Sequence, residues 1–132
     1  MATQDKRTVV RFAGYAAIFD APDRGGDVVR RGAFAGAGAV PLLWQHRGAP
    51  VGVVESIAED ARGLRVIARV DDPRVAALVT AGALDGLSFG YRARSTRQGA
   101  WRELRAVELV EVSLVAQPMQ AHARVIAVEA PG

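Results

Sequence analysis

The 132 residues of this chain include no cysteine. That excludes disulfide scaffolds, thiolate metal sites and cysteine nucleophiles together, and it fits a reducing compartment. Histidines number only two, His46 and His122, and neither stands in the HxxE or HxH spacing of a ligand pair, so a metal centre is not expected. No glycine loop of phosphate-binding type is present. RGGD and GAFAGAG lack both the P-loop lysine and the strand–glycine–helix order that places backbone N–H groups around a phosphate. No apolar run approaches the roughly 18 residues needed to cross a bilayer, and the opening MATQDKRTVVRF lacks the apolar stretch of a secretion signal. The expectation is a soluble, cytoplasmic protein working without cofactor, metal or membrane.

Half of the residues are hydrophobic although only 6% are aromatic, and Ala, Val, Gly and Arg dominate. A chain of this length is most simply one domain, here 1–132, and buries roughly two-thirds of its unfolded surface. The net charge is +3, from 17 Lys and Arg against 14 Asp and Glu. Arg92, Arg94 and Arg97 form the one local concentration of positive charge. Nucleic-acid binding through them ranks below a solvated strand face, because no aromatic stacking platform accompanies them.

β-formers lead from the start. TVVRFAGYAAIF (8–19) predicts a long strand with Gly14 at a bend or bulge, and DAPDRGGD (20–27) reads as a loop. VVRRGAFAGAGA is ambiguous, with room for one short helical turn near Phe34. VPLLWQH (40–46) reads as a buried strand ended by RGAP. VGVVESIAED and GLRVIARVDD follow as a hairpin across EDARG. The one clear helix has Asp72 as N-cap, Pro73 at its first position and Gly82 as its stop. After it LDGLSFGYRARST, AWRELRAVEL and VEVSLVAQ continue as strands around a turn at RQG. Pro118 breaks the last of them, and ARVIAVE closes the chain as a strand. Many strands with one or two helices predict an α+β, mainly β domain, a small closed or partly closed barrel.

Without cysteine, nucleophilic catalysis falls to Ser, Thr, Lys or a carboxylate. Ser88, one of four serines, sits in LDGLSFGY with Gly86 and Gly90 two positions to either side. Those glycines leave space beside its hydroxyl for another backbone or for a substrate chain. Taken alone, the stretch favours a serine in a crowded strand crossing. The flanking elements read as strands, so this is not the strand-to-helix elbow of an α/β-hydrolase. A serine needs a base, which leaves His46, at the rim of an apolar strand on the Leu42–Trp44 face, or His122. Glu111 shares a strand face with Leu109, Ser113 and Val115, where burying a carboxylate is costly unless it is paired. Glu111 and His122 are the two candidates to orient the base.

Taken in order, GYAAIFD, GDVVRRGAF, VPLLWQH with PVGVV, EDARGLRVIARV, GALDGLSFGY and VELVEVSLVAQPMQAHARV resemble the prohead (capsid maturation) proteases of HK97-type tailed bacteriophages, over roughly residues 11–129. The resemblance implies a serine endopeptidase with a fold like that of the herpesvirus assembly protease. It implies Ser88 as nucleophile, His46 as general base and Glu111 as third member, since EVSLV puts Glu111 where the herpesvirus relatives carry a second histidine before their VALC-like strand. Those relatives carry paired arginines after that strand; AQPMQ here has none, so no oxyanion donor is named.

The substrate so implied is the scaffolding segment of the major capsid protein, cut inside the procapsid in a bacterial host, together with self-cleavage. The major capsid protein is then the partner, with a homodimer or higher oligomer by analogy. A prophage or gene transfer agent suits the compact chain and its composition. The competing expectation is a catalytically silent, protease-like structural or scaffolding component of the particle.

Overall fold

Eight strands and one helix make up the described part of the chain, residues 10–129 of a computed structural model. In order they are β1 (Val10–Ile18), β2 (Asp27–Val29), β3 (Val40–Trp44), β4 (Arg47–Glu59), β5 (Gly63–Val70), α1 (Pro73–Thr80), β6 (Gly86–Gln98), β7 (Arg102–Val115) and β8 (Val125–Glu129). All strands join one mixed sheet in the order β2-β7-β3-β4-β5-β1-β8, with β6 laid along the other edge of β7. Strands β2 and β3 run parallel to β7 at its two ends, β2 against Arg102–Leu104 and β3 against Val112–Leu114. The sheet wraps around Phe12, Leu42, Leu64, Leu87, Leu104 and Leu114, all fully buried.

The domain is thus mainly β, as its composition predicts, but the sheet is not closed into a barrel. Its flanks meet only through single bridges, Phe19 with Val29 and Gly86 with Arg124, and no ladder continues from either among the described residues. Strand β8 runs along β1, and the bridge from Gly86 reaches Arg124, the residue just before β8.

Local chemistry explains most element boundaries. Asp72 caps α1, its carboxylate accepting from the N–H groups of Arg74 at 2.9 Å and Val75 at 3.1 Å, and Val75, Ala76 and Val79 face the sheet. Gly82 follows at φ +73°, the left-handed stop that glycine adopts without strain. Gly14 marks a shift of register between β1 and β8, and a Cβ there would come within 2.8 Å of Leu87. Among the described residues no helix is long and apolar enough to cross a membrane.

Four boundaries differ from the sequence expectation. The stretch 30–39 holds no helix. Gly32 and Gly36 take φ values of +90° and +80°, and the Glu59 carboxylate gathers the N–H groups of Gly32 and Phe34 into turns instead. RGAP does not end a strand but begins β4, because the reversal comes earlier, at Gln45–His46. The two segments read around VELVEV are one strand, β7, whose pairing with β6 continues across a register shift that skips Val110, from Gly90–Glu111 to Tyr91–Leu109. The turn expected at RQG falls slightly later, as β6 runs on through Gln98. Thr8 and Val9, read as the start of the first strand, lie outside the described residues.

Asp27 and Arg102 tie β2 to β7. The guanidinium holds both carboxylate oxygens, Nε to Oδ1 at 2.8 Å and Nη2 to Oδ2 at 2.9 Å, and Nη2 also donates to the Tyr91 hydroxyl at 3.0 Å. The Arg102 fork holds the Asp27 carboxyl below its ordinary range. Burial, then the Asp27 charge, pushes the Tyr91 phenol up. A carboxyl that is more acidic in the folded chain than in the unfolded one stabilises the fold above its unfolded value of about 3.9, and that contribution is lost as pH falls through the lower, folded value. Asp27→Asn should therefore be less stable than the unaltered chain near neutrality, with the difference shrinking below about pH 4. Urea melts across that range measure it, and a difference that does not change with pH would contradict the assignment.

Candidate active site

Antiparallel pairing of β6 with β7 sets Ser88 opposite Ser113 and Gly90 opposite Glu111. Opposed residues in such a ladder point to one face, so Ser88, Gly90, Glu111 and Ser113 lie together there. On the other edge of β7, Leu43 of β3 is in register with Ser113. Just beyond Trp44 the chain reverses in two residues to Arg47, its partner across the hairpin. Those two residues are Gln45 and His46, with φ values of 57° and 62°. His46 is therefore a turn residue and not the last residue of a strand, and the turn brings its imidazole onto the face that carries Glu111.

The imidazole Nδ1 lies 2.6 Å from Glu111 Oε1. The second carboxylate oxygen, Oε2, accepts the hydroxyl proton of Ser113 at 2.6 Å, and Ser113 Oγ accepts from the His46 main-chain N–H at 3.1 Å. Glu111 is 7% exposed and Ser88 7%, whereas the His46 side chain is 44% exposed. The carboxylate is thus buried but doubly bonded, which meets the condition that burial of a charge imposes. With the carboxylate on Nδ1, that nitrogen carries the proton and Nε2 is left as an acceptor.

His46 and Ser88 line one cleft of about 630 Å³ with Gln45, Arg47, Gln117 and Met119. Among the described residues no hydrogen bond joins the Ser88 hydroxyl to His46. A smaller recess of about 90 Å³, lined by Ala16, Asp27, Leu87, Tyr91 and Met119, also includes Ser88 in its wall. The arrangement offers a hydroxyl, an oriented base and a buried carboxylate around an open cleft, the parts required for acyl transfer.

The sequence pattern of the family described as caudovirus prohead serine protease matches residues 1–131. The chain belongs to that family. It is similar to the prohead protease of Enterobacteria phage HK97, 33% identical over an alignment of 92 positions that covers 61% of this chain and 41% of that protein. The match thus spans less than half the length of the phage protein. Among solved structures the fold is similar to that of KSHV protease in complex with a hexapeptide phosphonate inhibitor, with a TM-score of 0.65 at 12% identity over 92% of this chain and 65% of that one. Varicella-zoster virus protease is comparable, with a TM-score of 0.62 at 16% identity over 92% of this chain and 64% of that one.

In this prohead protease family member the sequence-predicted residues do not all come together. Ser88 and His46 line the cleft, and Glu111 is bonded to the His46 imidazole. His122 is exposed in the segment before β8, and no hydrogen bond joins it to that group among the described residues. The glycines around Ser88 do not leave space for a substrate. A Cβ on Gly90 would run into Oε1 of Glu111 and lie 3.0 Å from its Cδ and Cγ. One on Gly86 would run into the Val115 carbonyl and lie 2.9 Å from the Pro118 ring. Both gaps are filled by the protein itself.

Two residues went unassigned in the sequence. Ser113 has no signal beyond its spacing from Glu111. Buried Gln120 pins the segment after Pro118 to the end of β1, its side chain accepting from Ile18 N–H at 2.9 Å and donating to Ile18 carbonyl at 2.8 Å, which fixes one wall of the recess. Among the described residues no group of three His, Asp or Glu side chains could hold a metal ion.

Proposed function

We propose that this chain is a serine endopeptidase that cleaves the scaffolding segment of the major capsid protein inside the procapsid of a phage-like particle, in the cytoplasm of a bacterial host, and that it also cuts itself. The observation that carries the reading is the pairing of His46 Nδ1 with the buried Glu111 carboxylate at 2.6 Å, beside a cleft that Ser88 also lines. Ser88 Oγ attacks the scissile carbonyl carbon while His46 Nε2 takes its proton. Glu111 holds the ring and stabilises its positive form. The tetrahedral species collapses to an acyl-enzyme, and the leaving amine departs with the proton from His46. Water then hydrolyses the ester with His46 again as base. A hydrogen bond from Ser88 to His46 forms when substrate fills the cleft, since catalytic hydrogen bonds that are long in the free state commonly close in the complex.

The open Ser88–His46 contact also favours a second reading, a protease-like component of the particle that has lost its chemistry. Covalent capture separates the two. An alkyl fluorophosphonate should label the chain at Ser88, and the unlabelled chain should shorten the capsid protein of its particle whereas the labelled one should not. Failure of labelling, or capsid protein shortened equally by labelled chain, would overturn the enzymatic reading.

A further inference from the structure

Ser113 makes and breaks no bond in the mechanism above, yet it is fully buried at the centre of the site. Its one hydroxyl is bonded on both sides, to the His46 main-chain N–H at 3.1 Å and to Glu111 Oε2 at 2.6 Å. The direction of each bond is forced. An amide N–H can only donate, so Oγ accepts from His46, and its own hydrogen is left for the carboxylate.

Both groups it joins need holding. Gln45 and His46 are both left-handed, a turn conformation that asparagine and glycine usually supply because it crowds the Cβ of other residues. Strand β7 and the residue after it hold that turn in place. Leu114 carbonyl accepts from Gln45 N–H at 2.9 Å, Gln45 Oε1 accepts from Ala116 N–H at 3.2 Å, and Ser113 binds His46. Glu111 in turn has one oxygen for the imidazole, and its other oxygen would be left buried without Ser113.

We propose that Ser113 is a positioning residue for the reaction, a single hydroxyl that sets the backbone of the base and the carboxylate of its orienting partner in one fixed relation. The proposal rests on the reading of Ser88 as nucleophile and His46 as base, and the experiment separates the two.

Reaction of the full chain with an alkyl fluorophosphonate needs Ser88 and its base but no peptide. The Oγ–P bond forms, the P–F bond breaks, fluoride leaves and the serine proton passes to His46. Ser113→Ala should slow this labelling by roughly 10- to 100-fold, the scale on which small misplacements of a catalytic group act. Ser113→Thr, which keeps the hydroxyl, should label at close to the rate of the unaltered chain. The proton NMR signal of His46 Nδ1–H against Glu111 should move in the alanine variant and persist in the threonine variant, a response that loss of stability alone would not produce. If the alanine variant does not fold, Ser113→Cys keeps the volume while donating weakly and should slow labelling in the same way. Labelling at the unaltered rate in folded Ser113→Ala or Ser113→Cys, with the Nδ1–H signal in place, overturns the proposal and leaves the Ser88 reading standing. Absence of labelling at Ser88 in the unaltered chain removes that reading, and the proposal falls with it.

Discussion

Ser88→Ala, His46→Ala and the two combined should each leave the capsid protein uncut, with residual cleavage lower by on the order of 10^4- to 10^6-fold in all three. The near equality is the informative part. A nucleophile and its base act as one unit, so once either is gone the other has nothing left to contribute, and the losses do not multiply. Folding is not the cause of the loss at Ser88, since its hydroxyl has no hydrogen-bond partner among the described residues and its removal leaves no donor unpaired. Thermal melts of Ser88→Ala should therefore overlay those of the unaltered chain. Quantifying intact and shortened capsid protein in co-production gives the comparison directly. Losses that multiply in the double variant would mean that the two side chains act separately, and normal processing by Ser88→Ala would end the serine-protease reading.

Gly90→Ala should lower the same activity by about 10^2-fold or more, although residue 90 makes no bond in the reaction. The added Cβ would collide with Glu111 Oε1, the oxygen that faces the imidazole. The carboxylate cannot swing aside cheaply, because Ser113 holds Oε2 and His46 holds Oε1. Overpacking of this kind costs about 1–3 kcal/mol of stability as well, so rates are to be compared at a temperature where both chains remain folded. Glu111→Asp in the Gly90→Ala background shortens the acid by one methylene and should recover part of the loss. An alanine variant that reacts with a fluorophosphonate at the unaltered rate would show that the carboxylate's place does not matter to the base.

How much was legible in the sequence depends on the range over which each signal acts. The α1 boundaries could be read because Asp72, Pro73 and Gly82 each act within a turn of their own position. Strand identity was readable in the same way from β-branched runs and alternation. The extent of β7 was not, because a long strand is continuous only by virtue of partners elsewhere: β6 along one edge and β2 and β3 at the two ends of the other. Ser88, His46 and Glu111 were nameable from residue type and family resemblance. Alternation, however, assigned His46 to the wrong kind of element, since Gln-His carries none of the usual marks of a two-residue turn. Its left-handed backbone is imposed by β7, which lies far along the chain. The glycines misled for a related reason. Space beside a serine is visible in sequence, but what occupies it is decided by register, and register set Glu111 there.

The two-residue reversal at Gln45–His46 also bears on where this scaffold can be cut or extended. A hairpin that short has no slack, so one inserted residue would displace His46 relative to β7 and alter the pairing of β3 with β4 from Trp44 and Arg47 outward. The opposite situation holds at Gly99–Trp101, where the ribbon of β6 and β7 ends in exposed residues away from the cleft. Affinity tags, fluorescent domains or permuted termini belong at that tip, whereas the β3–β4 hairpin works as a fixed-length spacer whose residue count is itself part of the site.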